Sequence, residues 1–148
     1  MRAEKRRIAL TLPAEAECID IARLTLYGIS NQMGFSYEDI EDMKVAIAEA
    51  CNNVVLHAYP SDPQGTIDIE FWLNEGDLTI TVSDSGTSFA YEELGELGQA
   101  SMPYEGKTLD DISAGGLGIY LMQALMDRVE VEQETGTKVT LTKYRTSV

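Results

Sequence analysis

Hydrophobic and polar positions alternate in some stretches of the chain and recur at helical intervals in others. Ile8, Leu10 and Leu12 alternate with Ala9 and Thr11, which predicts a short half-buried strand ended by Pro13. From Ala14 to Met33, Ile21, Leu24 and Ile29 recur at roughly helical spacing, with Gly34 as the stop. Ser36 and Asp39 form a capping-box pattern, and Ile40, Met43, Ile47, Ala50 and Val54 follow at steps of three and four, predicting a second helix to about His57. After the turn-forming run Tyr59 to Gly65, Ile67, Ile69, Phe71 and Leu73 alternate with Asp68, Glu70 and Trp72. Asn74 to Asp77 suits a hairpin turn, and Leu78, Ile80 and Val82 alternate with Thr79, Thr81 and Ser83 on the way back. Continuing that period puts Asp84 on the core-facing side.

Ser85 to Ala114 has no sustained period and holds Gly86, Gly95, Gly98, Pro103 and Gly106, so a long loop with room for a short helix is expected, of the kind usually tied to function. Gly118 to Met126 reads as a third helix. Val129 to Glu132 and Lys138 to Tyr144 read as a closing hairpin around Thr135-Gly136. The order strand, two helices, hairpin, loop, helix, hairpin predicts an α+β fold, a two-layer sandwich with helices on one face of a mixed, mainly antiparallel sheet.

Composition narrows the function classes. At 148 residues and 44% hydrophobic, the chain suits one domain with one continuous core. The basic start Met1 to Arg7 is followed by too short an apolar run for a signal peptide. No stretch approaches the roughly 18 apolar residues of a membrane helix, so a cytoplasmic location is expected, with no membrane partner. Cys18 and Cys51 lack metal-site spacing and are read as buried free thiols, and the single His57 argues against zinc. A net charge of −14 opposes binding to nucleic acid or anionic lipid and favours a basic protein partner, though a merely solubilising acidic surface explains it equally well.

Three segments carry candidate chemistry. Glu49 and Asn53 are four residues apart, so they project from one helix face about 40° apart, beside the core stripe of Ala50 and Val54. A carboxylate there can take a proton from a hydroxyl, and an amide oxygen can complete the shell of a magnesium ion that keeps several waters. A solvated Glu and Asn pair is the plain alternative. Asn52, Asn53 and His57 are nonetheless indifferent helix formers, a local departure that often marks a site. His57 is either a satisfied histidine near the helix end or a chemical group. Asp84, on the core face of a strand, needs a hydrogen-bond donor, which an adenine amino group supplies. A turn aspartate satisfying backbone N–H groups in Asp84-Ser-Gly86 is the competing reading. Gly86 lets the backbone approach a flat base. Gly115-Gly-Leu-Gly118 opens into a helix whose free N–H groups bind anions without basic side chains, although alone it is equally a hinge. It lacks the Gly-Lys-Ser or Gly-Lys-Thr ending of a P-loop and follows no strand, so neither a P-loop nor a Rossmann fold is supported.

Taken in order, Glu49-Ala-Cys-Asn-Asn-Val-Val-Leu-His57-Ala-Tyr59, Asp84-Ser-Gly86 and Gly116-Leu-Gly118 resemble the three conserved boxes of the gyrase, Hsp90, histidine kinase and MutL ATPase superfamily, across nearly the whole chain. The Glu-Ala-x-x-Asn-x-x-x-His-Ala-Tyr form and the Gly-Gly-Leu-Gly-Ile-Tyr-Leu-Met run most resemble anti-sigma-factor serine kinases of the anti-sigma-B type. The resemblance implies a Bergerat-type ATP-binding fold over 1–148, with residues at about 87–114 as a lid over the phosphates. It implies that Glu49 is the base for the attacking hydroxyl, Asn53 binds magnesium and Asp84 accepts from adenine. Gly86, Gly116, Leu117 and Gly118 would shape the nucleotide pocket. It further implies ATP and Mg2+ as cofactors and a homodimer that sequesters a stress-response sigma factor and phosphorylates a serine of an anti-anti-sigma antagonist protein.

Two departures bear on that picture. Ser88 stands where much of the superfamily has a second glycine, and Ile112-Ser-Ala114 stands where sporulation-type relatives carry an arginine. Lys107 is then the candidate cation for the γ-phosphate. The competing function is a nucleotide-regulated binding module without significant phosphotransfer, using Asp84 and the glycines but not Glu49. A histidine kinase is a weaker reading, since the only histidine lies inside the first box.

Overall fold

The computed structural model describes residues 6–59, 64–86 and 114–146. Strand β1 (Arg6–Pro13) leads through a short 3-10 turn (Ala16–Cys18) into α1 (Ile19–Met33) and α2 (Tyr37–Asn53), and a π-helical turn (Val54–Ala58) continues α2. Strands β2 (Thr66–Leu73) and β3 (Asp77–Ser83) follow, then α3 (Ala114–Leu125), β4 (Arg128–Glu134) and β5 (Gly136–Tyr144). The five strands lie in the order β1-β2-β3-β5-β4, and all four pairings are antiparallel, so no parallel pair enters the sheet among the described residues. The predicted order of elements and the α+β class hold.

Local chemistry explains the boundaries. Gly34 ends α1 in the left-handed conformation, φ 85°, and its N–H and that of Phe35 bond back to the Asn31 and Ser30 carbonyls. The Ser36 hydroxyl accepts from the Asp39 N–H at 3.1 Å, the N-cap that the sequence pattern predicts. Ile67, Ile69 and Phe71 of β2 are fully buried with Leu78, Ile80 and Val82 of β3, as period-two alternation requires. They pack beneath Met43, Ala46 and Ile47 of α2, Leu26 of α1, and Ile119 and Met122 of α3 in one cluster. Each such side chain contributes about 1.5–3 kcal/mol of burial. The central helix α2 packs against both other helices, which places its far end between β3 and α3.

Three details depart from the sequence reading. The second helix changes to π geometry after Asn53 instead of running on as α-helix to His57. The third helix starts at Ala114, so Gly115, Gly116 and Gly118 lie inside its first turns rather than in a loop before it. Cys51 is fully buried, with its thiol pushed up to about 12 by burial and therefore inert, but Cys18 is only part-buried. No described helix is long and apolar enough to cross a membrane.

Candidate nucleotide site

Glu49 and Asn53 sit on the side of α2 that faces α3. Asn53 is 3% exposed and Glu49 half-buried, the boundary position that their spacing beside the core stripe predicts. Gly118 lies directly opposite: a Cβ there would come within 3.1 Å of Glu49 Oε2 and 3.5 Å of Asn53 Nδ2. The first and third candidate segments are therefore in contact, and the glycine of the third leaves the carboxylate and the amide of the first unobstructed. A carboxylate beside an amide in a part-buried gap can accept a proton and help to hold a hydrated divalent cation.

Asp84 follows the last residue of β3 and is 6% exposed. Its N–H donates to the Thr137 carbonyl at 3.0 Å, extending the β3–β5 ladder by one residue. Its Oδ1 accepts from the Gly86 N–H at 2.9 Å, while Oδ2 is buried without a partner. The turn reading of Asp84 accounts for one oxygen, and the other has no partner among the described residues. Burial pushes the Asp84 carboxyl above its ordinary range, and the backbone N–H groups of Gly86 and Thr137 pull it partly back. The Thr137 hydroxyl is likewise buried without a partner. Leaving such atoms unpaired costs about 1–3 kcal/mol each, and together they can meet a ligand edge that presents donor and acceptor side by side.

Backbones approach closely around Asp84. Gly86 lies against the end of the π-turn, where a Cβ would fall 2.1 Å from the Ala58 carbonyl oxygen. Gly136, with φ 88°, lies against Asp84 itself, where a Cβ would fall 2.1 Å from its carbonyl oxygen. The hairpin turn between β4 and β5 therefore packs directly against Asp84.

Sequence reasoning missed Thr137 and Gly136. Thr137 is 3% exposed and shares its side of β5 with buried Val139 and Leu141, so a hydroxyl at an apolar position of an alternating strand was the available signal, the same one that marks Asp84. Gly116 and Leu117 fall in the first turns of α3. His57 is half-buried in the π-turn. The expected lid at about 87–114, with Ser88, Lys107 and Ile112, lies outside the described residues apart from Ala114.

The model of the histidine kinase-like ATPase domain matches residues 12–143. A serine-protein kinase RsbW of Bacillus subtilis is 44% identical over 139 residues, covering 93% of this chain and 84% of that protein. The RsbW of Halalkalibacterium halodurans is also 44% identical, over 93% and 82%. Among solved structures, the RsbU and RsbW domains of a Mycobacterium tuberculosis protein superpose with a TM-score of 0.66 at 23% identity, covering 96% of this chain and 33% of that one. A chain of the SiaB-SiaC complex of Pseudomonas aeruginosa matches with a TM-score of 0.64 at 10% identity, over 93% and 88%. At these identities the structural matches establish the fold.

Proposed function

The chain belongs to the histidine kinase-like ATPase family, alongside the RsbW serine-protein kinases, and from that premise we infer that it is an ATP-dependent serine-protein kinase and anti-sigma factor. The observation that supports the site assignment is the buried, unpartnered Oδ2 of Asp84 on the strand pair that also leaves the Thr137 hydroxyl unpartnered, with Glu49 and Asn53 meeting Gly118 on the neighbouring helices. Asp84 and Thr137 take the adenine edge, with Gly86 giving the base room. Gly116, Leu117 and Gly118 take the phosphates at the N-terminal turns of α3, where free N–H groups and the helix dipole favour anions. Asn53 would help to hold a magnesium ion, whose charge would offset that of the phosphates. Glu49 accepts the proton of the attacking serine hydroxyl. The serine oxygen bonds to the γ-phosphorus as the bond from that phosphorus to the bridging oxygen breaks, and ADP leaves.

The substrate serine belongs to an anti-anti-sigma antagonist protein, and the sequestered partner is a stress-response sigma factor, bound by a homodimer in the cytoplasm. The −14 charge supports a partner with basic surfaces. The test is transfer of labelled γ-phosphate from ATP and magnesium to a co-expressed antagonist, comparing the native chain with Glu49→Ala. Transfer by the native chain alone is expected, with ATP binding kept by the variant. Full transfer by Glu49→Ala would remove Glu49 as the base, and ATP binding without labelling by the native chain would leave a nucleotide-gated binding module.

A further inference from the structure

Tyr59 links the turn after Asp84 to the end of the helix that carries Glu49 and Asn53. It leaves the π-turn, whose wider winding is rare and is frequently found at functional sites. Its hydroxyl donates to the Thr66 carbonyl at 2.8 Å, at the first residue of β2, and accepts from the Ser85 N–H at 2.9 Å, between Asp84 and Gly86. Both polar capacities of the phenol are therefore committed. The ring is held between two glycines: a Cβ on Gly65 would lie 2.2 Å from Tyr59 Cγ, and one on Gly86 would lie 2.9 Å from Cδ1. Gly65 is itself tied down, because its carbonyl accepts from the Ala14 N–H at 2.9 Å.

We propose that Tyr59 is a positioning residue for nucleotide binding, fixing the Asp84-Ser85-Gly86 turn against the end of the helix that carries Glu49 and Asn53. The ring fills the slot between Gly65 and Gly86, and the hydroxyl pins the Ser85 amide, so the carboxylate of Asp84 is aimed while the adenine pocket is still empty. Only the five residues of the π-turn, Val54–Ala58, separate Tyr59 from Asn53, which makes the spacing between the adenine end and the phosphate end a property of this one segment. Neither hydrogen bond requires Tyr59 to touch the reacting atoms, so its loss is felt in affinity rather than in the chemical step. The proposal rests on the ATP reading above.

The experiment measures ATP binding by calorimetry and phosphotransfer at saturating ATP for the native chain, Tyr59→Phe and Gly65→Ala, with amide hydrogen exchange at Ser85. Tyr59→Phe keeps the ring and is expected to raise the ATP Kd about tenfold, to leave kcat within about twofold, and to speed Ser85 exchange. Gly65→Ala keeps every polar group but displaces the ring from a position outside the adenine pocket, and is expected to raise the Kd in the same way. It decides the matter should Tyr59→Phe fail to fold. An unchanged Kd in a folded variant, or a fall in kcat with Kd unchanged, would overturn the proposal while leaving the ATP reading intact. Absence of ATP binding by the native chain would overturn both.

Discussion

Asp84 and Thr137 face each other across the β3–β5 ladder, joined by a 3.0 Å bond from the Asp84 N–H to the Thr137 carbonyl, and each keeps one side-chain oxygen buried without a partner. A sheet rarely leaves two such atoms side by side, because each forgoes hydrogen bonds that water would supply. Asp84→Asn keeps an oxygen for the Gly86 N–H but replaces the free acceptor with a donor or scrambles the two. ATP affinity is expected to fall about 10- to 100-fold by calorimetry, and Thr137→Val to cost a smaller factor, about three- to tenfold.

The same carboxyl makes stability depend on pH. A carboxyl whose folded pKa lies above its unfolded value stays protonated in the native state while the unfolded chain has already ionised. Stability therefore falls as pH rises from the ordinary value, about 3.9, through the raised one. Asp84→Asn removes that loss. Without nucleotide, the Tm of the variant relative to the native chain is expected to improve between about pH 3.5 and pH 7. A difference that is flat with pH would show that burial of the Asp84 charge carries no such cost.

Gly118→Ala separates catalysis from stability. Alanine is the better helix former by about 0.5–1 kcal/mol, so the variant is expected to unfold no earlier than the native chain. Its methyl group would sit 3.1 Å from Glu49 Oε2 and displace that carboxylate. Phosphotransfer at saturating ATP is expected to fall about 10- to 100-fold with the Tm unchanged or raised.

At Gly136 the opposite holds. The positive φ of 88° and the 2.1 Å approach to the Asp84 carbonyl oxygen leave alanine both strained and in collision with backbone. Gly136→Ala is expected to destabilise the chain by about 1–3 kcal/mol from the backbone conformation alone, and more from the clash, as read by urea unfolding. Surviving protein should bind ATP weakly, because the turn packed against Asp84 moves.

Partner recognition should carry the mark of the −14 charge. Association with a sigma factor is expected to slow and weaken as salt rises from low to physiological ionic strength and beyond, measured by surface-bound kinetics. A salt-independent association rate would assign recognition to apolar contacts instead.

Local pattern along the chain was enough to place the elements and to nominate the candidate residues. Strict alternation in Ile67 to Leu73 and Leu78 to Val82, the three-and-four spacing from Ile40 to Val54, the Ser36 cap and the Gly34 stop are local signals, since backbone period and capping depend on near neighbours. Continuing the β3 period was enough to bury Asp84, and a spacing of four was enough to align Glu49 with Asn53. The insertion of β5 between β3 and β4 is visible only in the packed fold, because strand order reflects which faces pack and not which residues are adjacent in the chain. That insertion brings Thr137 and Gly136 to Asp84, from more than fifty residues away. The π-turn after Asn53 was equally hidden, since Val54 to Ala58 continue an ordinary helical pattern and only the fit of Ala58 and Tyr59 against Gly86 and Gly65 distinguishes the wider winding. Long-range close approach of backbones is a property of packing, and it is packing that brought Gly118 to Glu49 and Asn53, and Gly86 to Ala58 and Tyr59.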